Sequence, residues 1–190
     1  MMRIITGTAK GIRLKTLEGD TTRPTAERVK EAVFSMLQMD IEGREVLDLF
    51  SGSGQMALEA LSRGASSAVM LDSSPAAISV ITENANKTKL ISKCTIRRTD
   101  YLDYIKRNRG KKFDIVFLDP PYASGYYKIA LRALIDSDML KNTSLIVCES
   151  GEDTIFGGDE QLAKAFCVVK QSRYSKTFIT VISPAEKEDV

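Results

Sequence analysis

Two hydrophobic periods alternate along most of this chain. From Arg44 onward, candidate strands (45–50, 67–72, 94–99, 113–119 and 144–149), most of them apolar runs, are separated by segments with helical spacing. Those segments fall near 54–63, 75–88, 101–109 and 125–137. Runs that stay apolar on consecutive positions predict strands buried on both faces, and a helix between each pair predicts a parallel sheet covered on both sides. Two later runs, 166–172 and 177–182, are near enough in sequence to pair antiparallel and complete a mostly parallel, seven-stranded α/β sheet. Ahead of it, Arg3–Thr6 and Ile12–Lys15 predict a small β-hairpin turning at Gly7 and Gly11. A helix is predicted near Ala26–Gln38, capped by Thr25, with Val29, Val33, Met36 and Leu37 buried and Arg28 and Lys30 off that stripe. The expected organisation is an extension over 1–42, an α/β domain over 43–184 and a charged tail over 185–190.

Composition narrows the chemistry. No apolar run approaches the ~18 residues that a membrane helix needs, and Met1–Gly7 lacks the apolar core of a signal peptide. A cytoplasmic protein with no membrane partner is expected. Cys94, Cys148 and Cys167 lie far apart in apolar runs, so buried thiols in a reducing compartment are expected rather than disulfides or metal ligands. The absence of histidine removes Ser-His-Asp and Cys-His catalysis and most zinc sites, and no metal is expected. The net charge of +2 conceals segregation. Residues 87–112 carry ten Lys and Arg against two acids, residues 1–30 carry seven against three, and the remainder carries ten against twenty. Basic blocks of this kind suggest a polyanion footprint on one side of the molecule.

The chemistry gathers at strand ends. The run Phe113–Leu118 stops at Asp119-Pro120-Pro121-Tyr122. Pro120 keeps Asp119 extended at the strand tip, and neither proline has an N–H to compete for nearby carbonyls. The Asp119 carboxylate and the Pro120 carbonyl are candidate acceptors for the two protons of an exocyclic nucleobase amine, with Tyr122 as a stacking platform for a base swung out of its helix. A Pro-Pro turn with a surface tyrosine is the plain alternative.

A second site lies upstream. Asp48-Leu49-Phe50-Ser51-Gly52-Ser53-Gly54-Gln55-Met56-Ala57 reads as a G-x-G-x-x-A turn between a strand and a helix, and Asp72 ends the next strand. Such a turn admits close backbone approach to a ligand, and an acid at the second strand tip suits ribose hydroxyls. A nicotinamide dinucleotide and S-adenosylmethionine both fit so far. Asp48 separates them: a carboxylate ahead of the glycines repels a pyrophosphate but suits the ammonium and sulfonium of S-adenosylmethionine. The lack of histidine and of any Tyr-x-x-x-Lys also speaks against an oxidoreductase. Asp100, ending the third strand, is placed for the adenine amino group. Phe50, Ser51, Gly52, Ser53, Gly54 and Tyr101 complete the expected cofactor set. Arg23 and Arg28 are candidate phosphate contacts, as are Lys10 and Arg13 of the hairpin.

Arg3-Ile4-Ile5-x-Gly7, Arg23-Pro24-Thr25-x-x-Arg28-Val29-Lys30-Glu31, Leu47-Asp48-x-Phe50-x-Gly52-Ser53-Gly54, Leu58-Glu59-Ala60-Leu61-Ser62-Arg63-Gly64-Ala65 and Asp119-Pro120-Pro121-Tyr122 occur together and in order. That combination resembles the RsmD-like family, bacterial small-subunit ribosomal RNA guanine-N2 methyltransferases, as far as about Glu149. The resemblance implies a Rossmann-like class I S-adenosylmethionine-dependent methyltransferase. It further implies methyl transfer to the exocyclic N2 amine of a guanine in 16S ribosomal RNA, with S-adenosylhomocysteine as product. Ribosomal RNA within the small subunit is then the expected partner, held in part by a basic N-terminal hairpin. A monomer is expected. The Asp-Pro-Pro-Tyr loop is also shared with DNA adenine-N6 and other nucleobase amino-group methyltransferases, which form the alternative. Beyond Glu149 no motif is recognised.

Overall fold

The strand–helix alternation begins at Glu45–Asp48 (β1) and runs on in a computed structural model that describes residues 2–17, 24–120 and 125–185. Before it lies a helix, Pro24–Met36 (α1). After it come Gln55–Ser62 (α2), Ser67–Asp72 (β2), Pro75–Lys87 (α3), Cys94–Arg98 (β3), Tyr101–Arg107 (α4) and Phe113–Leu118 (β4). Tyr126–Asp136 (α5), Leu140–Ser150 (β5), Glu160–Lys164 (α6), Phe166–Tyr174 (β6) and Thr177–Pro184 (β7) complete the order. The seven strands form one sheet in the order β3-β2-β1-β4-β5-β7-β6. β1 to β5 are parallel, while β7 runs antiparallel to both β5 and β6.

Side-chain alternation in the central strands sorts their residues into two apolar layers. Val46, Met70, Ile115, Phe117 and Val147 face one layer, which also takes Phe34 from α1, Leu58 and Leu61 from α2, and Ile81 from α3. Leu47, Leu71, Val116, Leu118 and Cys148 face the other, with Ile105 from α4, Leu131 and Leu134 from α5, and Leu162 from α6. Ile4, Ala9 and Leu14 of the N-terminal arm belong to the first layer. No helix among the described residues is long and apolar enough to cross a membrane.

The arm departs from the expected hairpin. It holds a single bridge, Arg3 to Arg13, with backbone bonds from Ile4 to Ile12 and from Leu14 to Met2, and no continuous ladder. Its donors turn instead to α2. Ile5 and Thr6 N–H donate to the Glu59 carboxylate at 2.7 and 3.0 Å, and Ala9 N–H donates to Ser62 Oγ at 2.9 Å. Gly7 has φ +86°, and a Cβ there would fall 1.8 Å from the Ser62 carbonyl oxygen, so only glycine permits this close seat.

Lys30 is a second departure. It lies on the buried side of α1, 3% exposed, with its ammonium 3.6 Å from Glu59 and donating to the Arg3 carbonyl. A buried lysine is tolerated because a carboxylate and a carbonyl meet it there. α1 also starts earlier than expected, which puts Thr25 within its first turn rather than at the cap. Cys148 is buried as expected, but Cys94 is half-buried and Cys167 is exposed on edge strand β6. β5 starts at Leu140 rather than near 144, because Ser144 Oγ accepts from Lys141 N–H and donates to the Phe113 carbonyl across an irregular register. α6 was not expected; it is a short helix capped by the Asp159 carboxylate on Leu162 N–H.

Candidate active site

Parallel strands deliver their C-terminal ends to one edge of a sheet, about 4.8 Å apart. Following the strand order, that edge presents Asp100 after β3, Asp72 at the end of β2, Asp48 at the end of β1, Asp119 after β4 and Glu149 near the end of β5. Four of these were anticipated. Glu149 was not assigned a role, because only the topology brings β5 beside β4.

The glycine turn sits where β1 enters α2. Gly52 and Gly54 have φ of +54° and +77°, and Gly54 packs so closely that an added Cβ would lie 3.3 Å from Ile81. At Gly52, by contrast, an added Cβ meets nothing within 4 Å, so the backbone there is open to a ligand. Asp72 holds the turn: its Oδ2 accepts from Gly52 N–H at 3.0 Å and its Oδ1 from Ser74 N–H at 2.8 Å. Each oxygen keeps a further lone pair for a ligand hydroxyl. Asp100 is exposed and caps α4 through Oδ1, accepting from Leu102 N–H at 2.8 Å. Tyr101 is buried beside it and packs on Phe50, ring centroids 4.9 Å apart, and Tyr126 closes this aromatic group 5.8 Å from Phe50. Tyr126 carries no sequence signal, since α5 follows the prolines only after a loop.

Ser51 and Ser53 are buried beneath the turn. Ser51 Oγ donates to the Asp48 carbonyl at 3.1 Å, and Ser53 Oγ lies 3.2 Å from Met2 Sδ. Fully buried Asn84 ties the arm to the same place, with its Nδ2 donating to the Ser53 and Lys15 carbonyls and its Oδ1 accepting from Lys15 N–H. Sequence reading missed Asn84, because a lone asparagine in a helix carries no pattern.

Electrostatics separate the carboxylates. Asp48 is only 4% exposed, and burial pushes its carboxyl up to about 7, against the opposing pull of the Phe50 N–H and the Ser51 hydroxyl. Asp119 is exposed by area because it stands in the wall of an open cavity. Desolvation by that wall, then the Glu149 and Asp48 carboxylates, hold it well above the ordinary range. Glu149 is half-buried and is raised by desolvation. The charges of Asp48 and Asp119 reach one another, as adjacent strand tips require.

A cavity of about 500 Å³ opens on the β5 side of Asp119, lined by Asp119, Pro120, Tyr127, Glu149, Ser150 and Ile155, among others. None of Asp48, Gly52, Asp72 or Asp100 lines it. Asp119 thus stands between the glycine turn and a separate cavity large enough for a small ligand. Pro120 is buried, whereas Pro121, Tyr122 and Arg23 lie outside the described residues. No group of three or more His, Cys, Asp or Glu able to hold a metal occurs among the described residues.

Lys10, Arg13 and Arg28 are exposed. Lys10 follows Ala9, which is bonded to the last residue of α2, so it sits toward the opposite end of the sheet. The basic stretch 87–112 is split in the same way. Arg97 and Arg98 reach the carboxylate edge, while Lys93, Lys111 and Lys112 precede strands at the other end. α3 and α4 run against the strands, so one basic stretch in sequence visits both ends.

Residues 2–183 match the family described as Conserved hypothetical protein 95. A relative named Ribosomal RNA small subunit methyltransferase D, from Haemophilus influenzae, is 34% identical over 154 residues, 80% of each chain. The solved structure named "Putative methyltransferase yhhF" of Escherichia coli superimposes with a TM-score of 0.84 at 25% identity, over 98% of this chain and 99% of that one. A "putative methyltransferase complexed with SAH", SMU.776, superimposes with a TM-score of 0.69 at 15% identity, over 82% of this chain and 48% of that one. The last likeness concerns the fold alone, a Rossmann-like class I methyltransferase architecture.

Proposed function

Since the chain belongs to the Conserved hypothetical protein 95 family, that of the RsmD-like ribosomal RNA methyltransferases, we propose that it methylates the N2 amine of a guanine in 16S ribosomal RNA. S-adenosylmethionine-dependent methylation of ribosomal RNA is the activity the relatives' names support; the guanine and its N2 atom are the finer part of the reading. One observation carries it: Asp119 stands between the glycine turn beside Asp48 and a cavity of about 500 Å³. In this reading the protein works in the cytoplasm as a monomer on the small ribosomal subunit.

The residues at the strand edge fit S-adenosylmethionine: an open backbone at Gly52, a buried carboxylate at Asp48, an acid with spare lone pairs at Asp72, and an exposed acid at Asp100 beside the Phe50–Tyr101 rings. When bound, that group supplies an electrophilic methyl on a sulfonium. Asp48 would face its ammonium end, Asp72 its ribose and Asp100 its adenine. Asp119 and the Pro120 carbonyl would accept the two protons of the guanine N2 amine and so fix the direction of its lone pair, and Tyr122, outside the described residues, is the candidate stacking platform for the base. Asp119 then takes the proton that the methylated amine must lose. The protein's share is alignment at close approach and the exclusion of water.

Incubation of labelled donor with small subunits from cells lacking the enzyme, followed by nucleoside mass spectrometry, tests the reading. N2-methylguanosine is expected. N6-methyladenosine in DNA, or no methylated nucleoside, would overturn it.

Two further outcomes follow from the same placement. An ammonium beside Asp48 favours its ionised form, so donor binding releases a proton wherever the free carboxyl is protonated. Donor affinity should therefore fall by roughly tenfold per pH unit below about pH 7. Calorimetry across that range checks this, and Asp48→Asn should abolish the slope. At the arm, Lys10→Glu with Arg13→Glu should weaken RNA binding and reduce its salt slope by roughly one unit per lost phosphate contact. An unchanged slope in a filter-binding titration would leave the arm a structural cover only.

A further inference from the structure

We propose that Glu149 is the residue that selects guanine, by accepting the ring N1–H beside the amine held at Asp119. This rests on the reading above and adds to it a specificity determinant. Leu118 of β4 pairs with Cys148 of β5 in parallel register, so Asp119 and Glu149 follow side by side at the sheet edge. Both line the same cavity. Glu149 is still held in the sheet, paired with Ile179 of β7, and its backbone carbonyl accepts from the Tyr127 hydroxyl. Its position is therefore set by strand geometry rather than by a loop.

Neither carboxylate has an ion-pair partner among the described residues. The one lysine lining the cavity, Lys128, is engaged with Asp159 at 3.3 Å. Two adjacent carboxylates without a counter-charge call for a ligand that brings two N–H donors on one edge. Guanine alone among the common bases places a ring N–H next to an exocyclic amine. Adenine and cytosine set a ring-nitrogen lone pair beside the amine, and that lone pair would face Glu149. Uracil has the ring N–H but no amine. A site built to accept a proton rejects an analogue lacking it more strongly than an apolar pocket rejects a change of shape.

The test uses the full chain saturated with S-adenosylhomocysteine. Binding of guanosine 5′-monophosphate is compared by NMR titration with that of 2-aminopurine ribonucleoside 5′-monophosphate, which keeps the amine but presents a lone pair at N1. Wild type should prefer the guanosine nucleotide by at least about tenfold, the scale of one charge-assisted hydrogen bond. In E149Q the amide can donate to N1 as well as accept from it, so the two affinities should come within about threefold of each other. Its S-adenosylhomocysteine affinity should be unchanged. E149D keeps the charge and should keep the preference. An E149Q ratio equal to that of wild type, or a wild type without preference, overturns the assignment. If the wild-type product is N2-methylguanosine and the ratio is still unmoved, only the role of Glu149 falls. If the product is another nucleoside, the underlying reading falls with it.

Discussion

Asp119→Ala is expected to lower methyl transfer about a thousandfold while S-adenosylhomocysteine affinity stays within about threefold. The size follows from what the carboxylate does in the proposed reaction. It accepts one amine proton, which fixes the direction of the lone pair, and then receives the proton that the product sheds. Both interactions grow as charge develops on the nitrogen, so they act on the transition state more than on binding. Donor affinity should survive because the glycine turn is held by Asp72 and Ser51, with no bond to Asp119. Single-turnover kinetics on small subunits, with calorimetry for the product ligand, reads both halves. Loss of ligand binding together with activity would place Asp119 on the cofactor side instead.

Glu59→Ala should produce the largest loss of stability, about 3–5 kcal/mol, the usual range for removing one partner of a buried ion pair. Glu59 is 0% exposed and serves four donors: Ile5 N–H, Thr6 N–H, Arg63 Nε at 2.9 Å and the Lys30 ammonium at 3.6 Å. Its loss takes a carboxylate away from a buried lysine and strips two backbone groups of their acceptor at once. For a chain of this length a loss of that size corresponds to a fall in Tm of about 6–20 °C. The arm should loosen first, seen as fast hydrogen exchange at Ile5 and Thr6, and the contact of Met2 with Ser53 and the bonds of Lys15 to Asn84 should weaken with it. A melting temperature within about 2 °C of wild type would show that the cluster contributes little net stability.

The sheet was legible because its central strands are apolar on consecutive positions, a signal that needs no knowledge of neighbours. The four aspartates could be placed because each ends a candidate strand, and parallel topology brings strand ends together. What stayed hidden depends on partners distant in sequence. Lys30 reads as a surface residue until Glu59 arrives beneath it from α2. The fifth apolar run reads as starting at 144, although Ser144 anchors the preceding stretch to Phe113 and β5 extends back to Leu140. Cys167 looks buried in an apolar run, but its strand is the edge of the sheet. Glu149 looks like an ordinary strand-end acid until β5 is seen beside β4. The basic stretch from 87 to 112 looks like one patch, and the reversal of chain direction in α3 and α4 divides it.

A crystal structure of the chain with S-adenosylhomocysteine bears most directly on the shared site. The ligand is expected over Gly52 and Gly54, its amino acid end toward Asp48, its ribose at Asp72 and its sulfur turned toward Asp119. The cavity beside Glu149 should be left open for the base. A ligand seated in that cavity, or a sulfur directed away from Asp119, would contradict this placement.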